Sequence, residues 1–193
     1  MNKKKVLRNV LFGIAGAVGV LGLVIASRPS TFHVERSITI AAPPERAFAL
    51  VNDLHAWTTW SPYEKLDPQM KRTFDGAASG VGAAYAWSGN DKAGEGRMTI
   101  QESEKPSRIA IRLEFMRPFA CVNQATFTFT PSAEGTHVTW AMDGENNFIS
   151  KTASLVFDMD KLVGSDFEHG LSSMKSIAEN APNATADNAG SAR

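Results

Sequence analysis

The chain has 193 residues, 20 Lys and Arg against 20 Asp and Glu, one cysteine and 43% hydrophobic residues. That length suits one domain with appendages. The lone Cys121 excludes an internal disulfide, and the scattered His33, His55, His137 and His169 lack metal-ligand spacing. Lys3, Lys4, Lys5, Arg8 and Arg28 precede Pro29 with no acid among them, so the remainder is net acidic, which argues against nucleic acid as a partner.

The run from Val10 to Ala26 carries no charge and follows the basic cluster directly. It approaches the roughly 20 apolar residues of a membrane span, and Val6 and Leu7 lengthen it if Arg8 snorkels. Val24-Ile25-Ala26 resembles the small-residue site of a cleaved signal peptide. The run is longer than the apolar core of such peptides, about 7–15 residues, so the reading is an uncleaved single-pass anchor. The basic end then stays in the cytoplasm and the domain after Arg28 lies outside the inner membrane. Small pairs such as Gly13/Ala17 and Ala15/Gly19 would let two such helices approach, a route to a homodimer that nothing else in the sequence demands. The expected organisation is an anchor over 1–28, a linker over 29–31, a domain over 32–180 and a disordered tail over 181–193.

Phe32 to Ile40 alternates as a strand, with Phe32, Val34, Ile38 and Ile40 on one face and Arg36 interrupting it. Pro43-Pro44-Glu45 starts a short helix, since Pro fits a first turn and an acid complements the dipole there. Leu54 to Trp60 predicts a second short helix with Trp57 and Trp60 on one side, ended by Pro62. Strands then follow at Met70–Phe74, Ala83–Ser88, Gly94–Glu104, Arg108–Met116, Ala120–Thr130 and Thr136–Glu145, separated by Gly- and Pro-rich turns. Such spacing implies consecutive antiparallel neighbours. Ser154 to Ala178 reads as one long amphipathic helix whose stripe includes Leu155, Val156, Met159, Leu162, Val163, Phe167, Leu171, Met174 and Ile177. Gly164 and Gly170 within it mark close approach to the sheet or a bend.

Three stretches carry a resemblance: Phe32-His33-Val34-Glu35-Arg36-Ser37-Ile38, Ala42-Pro43-Pro44-Glu45-Arg46-Ala47-Phe48 and Trp57-Thr58-Thr59-Trp60-Ser61-Pro62. With Gly94-Glu95-Gly96-Arg97-Met98 and Trp140-Ala141-Met142-Asp143-Gly144, they resemble the SRPBCC superfamily and, within it, membrane-anchored polyketide cyclase-like proteins. The resemblance implies an α+β helix-grip fold: a curved seven-stranded antiparallel sheet, two short helices, and a long C-terminal helix closing a cavity. The cyclase name does not by itself imply cyclisation.

Strand parity then predicts a wall. Ligand-cavity candidates are Trp57, Trp60, Tyr85, Trp87, Met98, Leu113, Phe115, Arg117, Asn123, Phe127, Trp140 and Met142. The same side chains would also make an ordinary packed core. Arg117 and Asn123 flank one bend on inward faces and could meet at a cavity mouth to hold a carboxylate or carbonyl. Asp143 and Glu145 could supply an acid/base pair, but alternation turns both towards solvent; Tyr85 and His137 could serve a cyclase as general acid and base, but His137 shares that outward parity. No nucleophile turn, metal helix or phosphate loop is present, and no cofactor or metal is expected.

Three readings follow. The first is a membrane-tethered domain that holds a lipid or other hydrophobic small molecule. The second is a cyclase or dehydratase acting on an aromatic or polyketide-like substrate, with its catalytic residues unassigned. The third is a protein-interaction module acting through Trp57 and Trp60.

Overall fold

The computed structural model describes the backbone of residues 3–146, 151–152, 155 and 158–181; the side chains of residues 3–8, 10 and 159 lie outside that description. Helix α1 (Lys3–Ala26) precedes β1 (Thr31–Ile40), α2 (Pro44–Asn52), α3 (Trp57–Trp60) and a 3-10 turn at Pro62–Lys65. Strands β2 (Lys71–Gly76), β3 (Ala83–Ser88), β4 (Glu95–Glu104), β5 (Arg108–Arg117), β6 (Cys121–Ser132) and β7 (Gly135–Glu145) follow. Helix α4 (Met159–Asn180) comes last.

The seven strands form one antiparallel sheet in the order β1-β7-β6-β5-β4-β3-β2. Only β1 departs from sequence order, pairing β7 along its whole length from Thr31↔Glu145 to Ile40↔Thr136. The sheet with one long C-terminal helix and two short ones is the helix-grip arrangement that the resemblance implies.

Helix α4 begins later than periodicity suggests. Asp158 caps it, accepting a hydrogen bond from the Lys161 amide at 3.2 Å, and Leu155 lies in a turn outside the helix. Leu162 is 55% exposed, so it is not on the buried stripe; Phe167, Leu171, Met174 and Ala178 are. Ser154, Val156 and the side chain of Met159 lie outside the described residues, as does the tail 182–193.

Two polar ties fasten α4 to the sheet. Lys175 Nζ donates to the Thr39 carbonyl at 2.7 Å and to Glu179 Oε1 at 2.6 Å, while the Ala41 amide donates to the same Glu179 oxygen at 2.7 Å. Arg36, which interrupts the apolar face of β1, reaches α4 instead of bending the strand. Its Nε donates to Glu168 at 2.8 Å and its Nη2 to Asp160 at 3.0 Å. The bonds to Asp160 and Glu168 hold the guanidinium pKa above its usual value and that of the Asp160 carboxyl below its own.

The core is an aromatic stack. Trp140 lies between Phe127, ring centroids 4.9 Å apart, and Phe167, 4.0 Å away with planes 10° apart. Trp60 meets Trp140 edge-on at 5.5 Å. A Cβ on Gly170 would lie 2.8 Å from the Trp140 ring, so the helix approaches this closely only because residue 170 has no side chain.

Among the described residues no helix is long and apolar enough to cross a membrane. The backbone of α1 covers 24 residues, but its side chains are described without a break only from Leu11 onward. The fold therefore does not establish the expected transmembrane helix.

Candidate functional site

Antiparallel pairing sets side chains in rows across the inner face of the sheet. One row runs Phe32, Gly144, Asn123, Leu113, Met98, Tyr85, Phe74, from β1 to β2. The next row outward runs Cys121, Phe115, Gly96, Trp87, Arg72. Both rows lie beyond Arg36, which already meets the first turn of α4. Phe32, Leu113, Phe115 and Trp87 in these rows are half-buried, whereas Tyr85, Met98 and Asn123 are buried. Trp87 and Phe115 touch edge-to-face at 5.8 Å.

The deep wall residues are occupied with one another. Trp57 and Trp60 are buried, and their indole N–H groups donate to the Val51 and Leu50 carbonyls at 3.0 and 2.9 Å, satisfying acceptors in the last turn of α2. Phe127 and Trp140 belong to the stack described above, and Met98 and Met142 are buried beside it. A depression of about 1020 Å³ opens instead around the ends of β1, β7 and β6. Its lining takes Phe32, Cys121, Asn123 and Gly144 from the inner face and Thr31, His33, Arg112, Val122, Gln124, Asp143 and Glu145 from the outer face. Of the expected wall residues, Asn123 alone borders it among the described residues. A smaller depression of about 240 Å³ lies between Leu54-His55 and Phe74–Ala78.

Asn123 is only 8% exposed, and its Oδ1 has no hydrogen-bond partner; its Nδ2 faces Met142 Sδ at 3.9 Å. The indole nitrogen of Trp140 is the other buried side-chain polar atom without a partner among the described residues. Native interiors seldom leave such atoms unpaired, so each needs an explanation.

Arg117 and Asn123 do not meet. Arg117 turns to Glu95, donating through Nε at 3.0 Å, and to the Gly89 carbonyl at 3.1 Å. A register shift between Glu95 and Gly96 sets Glu95 opposite Arg117 and makes this pairing. Tyr85 OH donates to Glu64 Oε1 at 2.7 Å, and Arg72 Nε donates to Glu64 Oε2 at the same distance. Burial, then the Glu64 hydrogen bond, push the Tyr85 phenol well above its usual range. His137 lies on the exposed outer face, so Tyr85 and His137 do not converge.

Sequence reasoning missed the Glu64 triad and a second polar pair. Burial raises the Asp166 carboxyl, and burial with the nearby Asp166 charge raises the Tyr63 phenol. Tyr63 sits edge-on to Trp140 at 6.4 Å. The Pro62-Tyr63-Glu64-Lys65 turn supplies both Tyr63 and Glu64, and the Pro that ends α3 opens this turn. Among the described residues no group of His, Cys, Asp and Glu could hold a metal ion.

Residues 31–179 match the family described as polyketide cyclase / dehydrase and lipid transport, and the chain belongs to that family. That family places the chain in the SRPBCC superfamily, and its description covers both cyclase-like and lipid-transport domains. Among solved structures, a Chromobacterium violaceum protein is 17% identical, with 80% of this chain and 100% of that one covered and a TM-score of 0.55. The Aha1 dimer from Colwellia psychrerythraea is 13% identical, covering 79% and 99% at a TM-score of 0.56. BexL, a di-domain ARO/CYC from the BE-7585A biosynthetic pathway, is 12% identical, covering 92% of this chain and 60% of that one at a TM-score of 0.60. At these identities the likeness is one of fold. No curated protein matches the chain in sequence.

Proposed function

We propose that this protein is a membrane-tethered domain that binds a lipid or another hydrophobic small molecule at the open end of its sheet. One observation carries the reading. The inner face continues past α4 as the half-buried apolar group Phe32, Leu113, Phe115 and Trp87, and Phe32 at its end also lines a depression large enough for a small molecule. The family's description, which includes lipid transport, agrees with it.

The tether is supported by the uncharged run Val10–Ala26 behind its basic cluster and by the exposure of Leu11, Phe12, Ile14, Val18, Val20 and Leu23 along α1. Unpartnered apolar side chains of this kind need lipid or protein to cover them. The chain enters β1 at the same sheet end as the depression, and Asn146 pins the linker there. Its amide donates to the Ser30 carbonyl at 2.8 Å, and its side chain to those of Pro29 and Thr31 at 3.3 and 3.2 Å. The end of β5 and the turn after it expose Met116 and Phe119 there, 52% and 56% accessible, as a headgroup-facing tip would. With the basic N-terminus in the cytoplasm, the domain lies on the outer side of the inner membrane.

Native mass spectrometry of the full-length protein released from detergent micelles tests the binding reading. A bound apolar adduct, weakened by Leu113→Arg, is expected; no adduct from the host or from added neutral lipids would overturn it. Retention of the protein in carbonate-washed membranes tests the tether.

The second reading, a cyclase or dehydratase, is favoured by one arrangement. Tyr63, edge-on to Trp140, feels the charge of Asp166 on α4, and burial pushes both groups up. Turnover of a polyketide-like substrate that is abolished by Asp166→Asn would support it. The buried Trp57 and Trp60 offer no surface for the third reading, a partner-binding module.

A further inference from the structure

We infer that Asn123 is the polar anchor of the binding site and selects a neutral apolar molecule bearing a hydroxyl group over a carboxylate. This rests on the ligand-binding reading above and names the ligand class for that site.

The amide of Asn123 has two distinguishable ends. A thioether sulfur accepts hydrogen bonds and donates none, so the end that faces Met142 Sδ is the NH₂ group. The carbonyl end, Oδ1, is then the free one. It projects over Gly144, its partner across the β6–β7 pair. A Cβ on Gly144 would collide with Asn123 Oδ1 and with the Phe32 ring, so both converge on the space that residue 144 leaves empty. Asn123, Gly144 and Phe32 all line the large depression.

An unpaired amide oxygen in a buried setting carries an unmet desolvation cost. A ligand that donates a hydrogen bond removes that cost, and one that only accepts does not. Oδ1 is closed off from water, so binding there requires the half-buried Phe32 ring to move aside.

The amide oxygen itself argues against an anionic headgroup. A carboxylate brings only acceptor oxygens and negative charge to an unpaired acceptor, whereas an alcohol brings a donor. The charged His33, Arg112, Asp143 and Glu145 that also line the depression alternate with the inward residues and lie on the other face of the sheet. Among the described residues lining the depression, no cation therefore stands beside Oδ1 to offset that repulsion.

The test compares dodecan-1-ol, its methyl ether and dodecanoate as ligands of the full-length protein, read by native mass spectrometry from detergent micelles. The alcohol should bind about tenfold more tightly than the ether or the acid, the fold-change of one recovered buried hydrogen bond. Asn123→Leu should bind alcohol and ether equally. Gly144→Ala, whose methyl group displaces Oδ1, should shrink the preference by a second route. Equal binding of alcohol and ether by the unaltered protein, preferred binding of dodecanoate, or a preference that survives both substitutions would overturn the inference while leaving the ligand-binding reading intact. Failure of all three probes to bind would overturn both.

Discussion

The guanidinium of Arg36 fills the space that a side chain on Gly164 would need: a Cβ there would collide with it. Arg36 stands in the middle of β1, and Gly164 in the second turn of α4. Asp160 and Glu168, one helical turn to either side of Gly164, hold the guanidinium in place. Glycine is ordinarily a liability in a helix, costing about 1 kcal/mol relative to alanine. Here it makes the groove in which the strand's only inward charge lies. Gly164→Ala should therefore lower the melting temperature, by roughly 3–8 °C, despite its better helix propensity. Thermal unfolding followed by circular dichroism checks this, and an Arg36→Ala background should relieve the effect. A melting point raised by Gly164→Ala would mean that the arginine does not dock there.

The Trp140–Phe167 contact ties α4 to the centre of the sheet. Truncating Phe167 to alanine removes the ring stacked at 4.0 Å and leaves a void beneath the helix. A loss of about 3–5 kcal/mol is expected in urea unfolding. A loss below about 1 kcal/mol would show that Trp140 faces open space instead of a packed neighbour.

Glu64 is buried to 8% side-chain exposure and depends on two donors. Tyr85→Phe removes one of them and leaves a carboxylate oxygen unsatisfied, at a cost of about 1–3 kcal/mol. Chemical denaturation measures this directly. The same variant should keep its apolar ligand, because the Tyr85 hydroxyl is committed to Glu64 and not to the depression.

Asp166 gives a pH dependence of definite sign. Burial raises its carboxyl in the folded state, with the His169 charge opposing. The folded protein then holds its proton to higher pH than the unfolded chain does. The associated stability is complete below the unfolded value and is lost as pH rises through the folded one. Asp166→Asn should therefore be more stable than the unaltered protein at neutral pH, with the difference shrinking below about pH 4. Melting temperatures of the two proteins between pH 3 and pH 8 decide it. A constant difference across that range would mean that the carboxyl is not strained.

Much of the architecture was legible because turn chemistry punctuates it. Glycine and proline clusters at Gly76–Gly82, Gly89–Gly94 and Lys105–Ser107 separate strands whose alternation is clean, and the parity of Asn123, Phe127 and Trp140 was readable from spacing alone. The start of α4 was not, because apolar periodicity runs through Leu155 without regard to where a cap lies; the cap is Asp158. The partner of Arg117 was also hidden, since a register shift in β4 is invisible to alternation. Sequence reasoning named Asn123 as inward but could not show that its oxygen is unpaired. That depends on Met142 and Gly144, which reach it only through strand pairing. The glycine gave a partial signal, since a lone Gly inside a strand often marks close approach.

The linker that Asn146 clasps is four residues long, from Ser27 to Ser30. Even fully stretched, such a leash spans only about 13–14 Å. If α1 sits in a bilayer, the mouth beside β1 can never stray more than a headgroup layer or so from the lipid. A guest would then pass between lipid and protein without a journey through water, and the protein would serve its own patch of membrane, not a distant one.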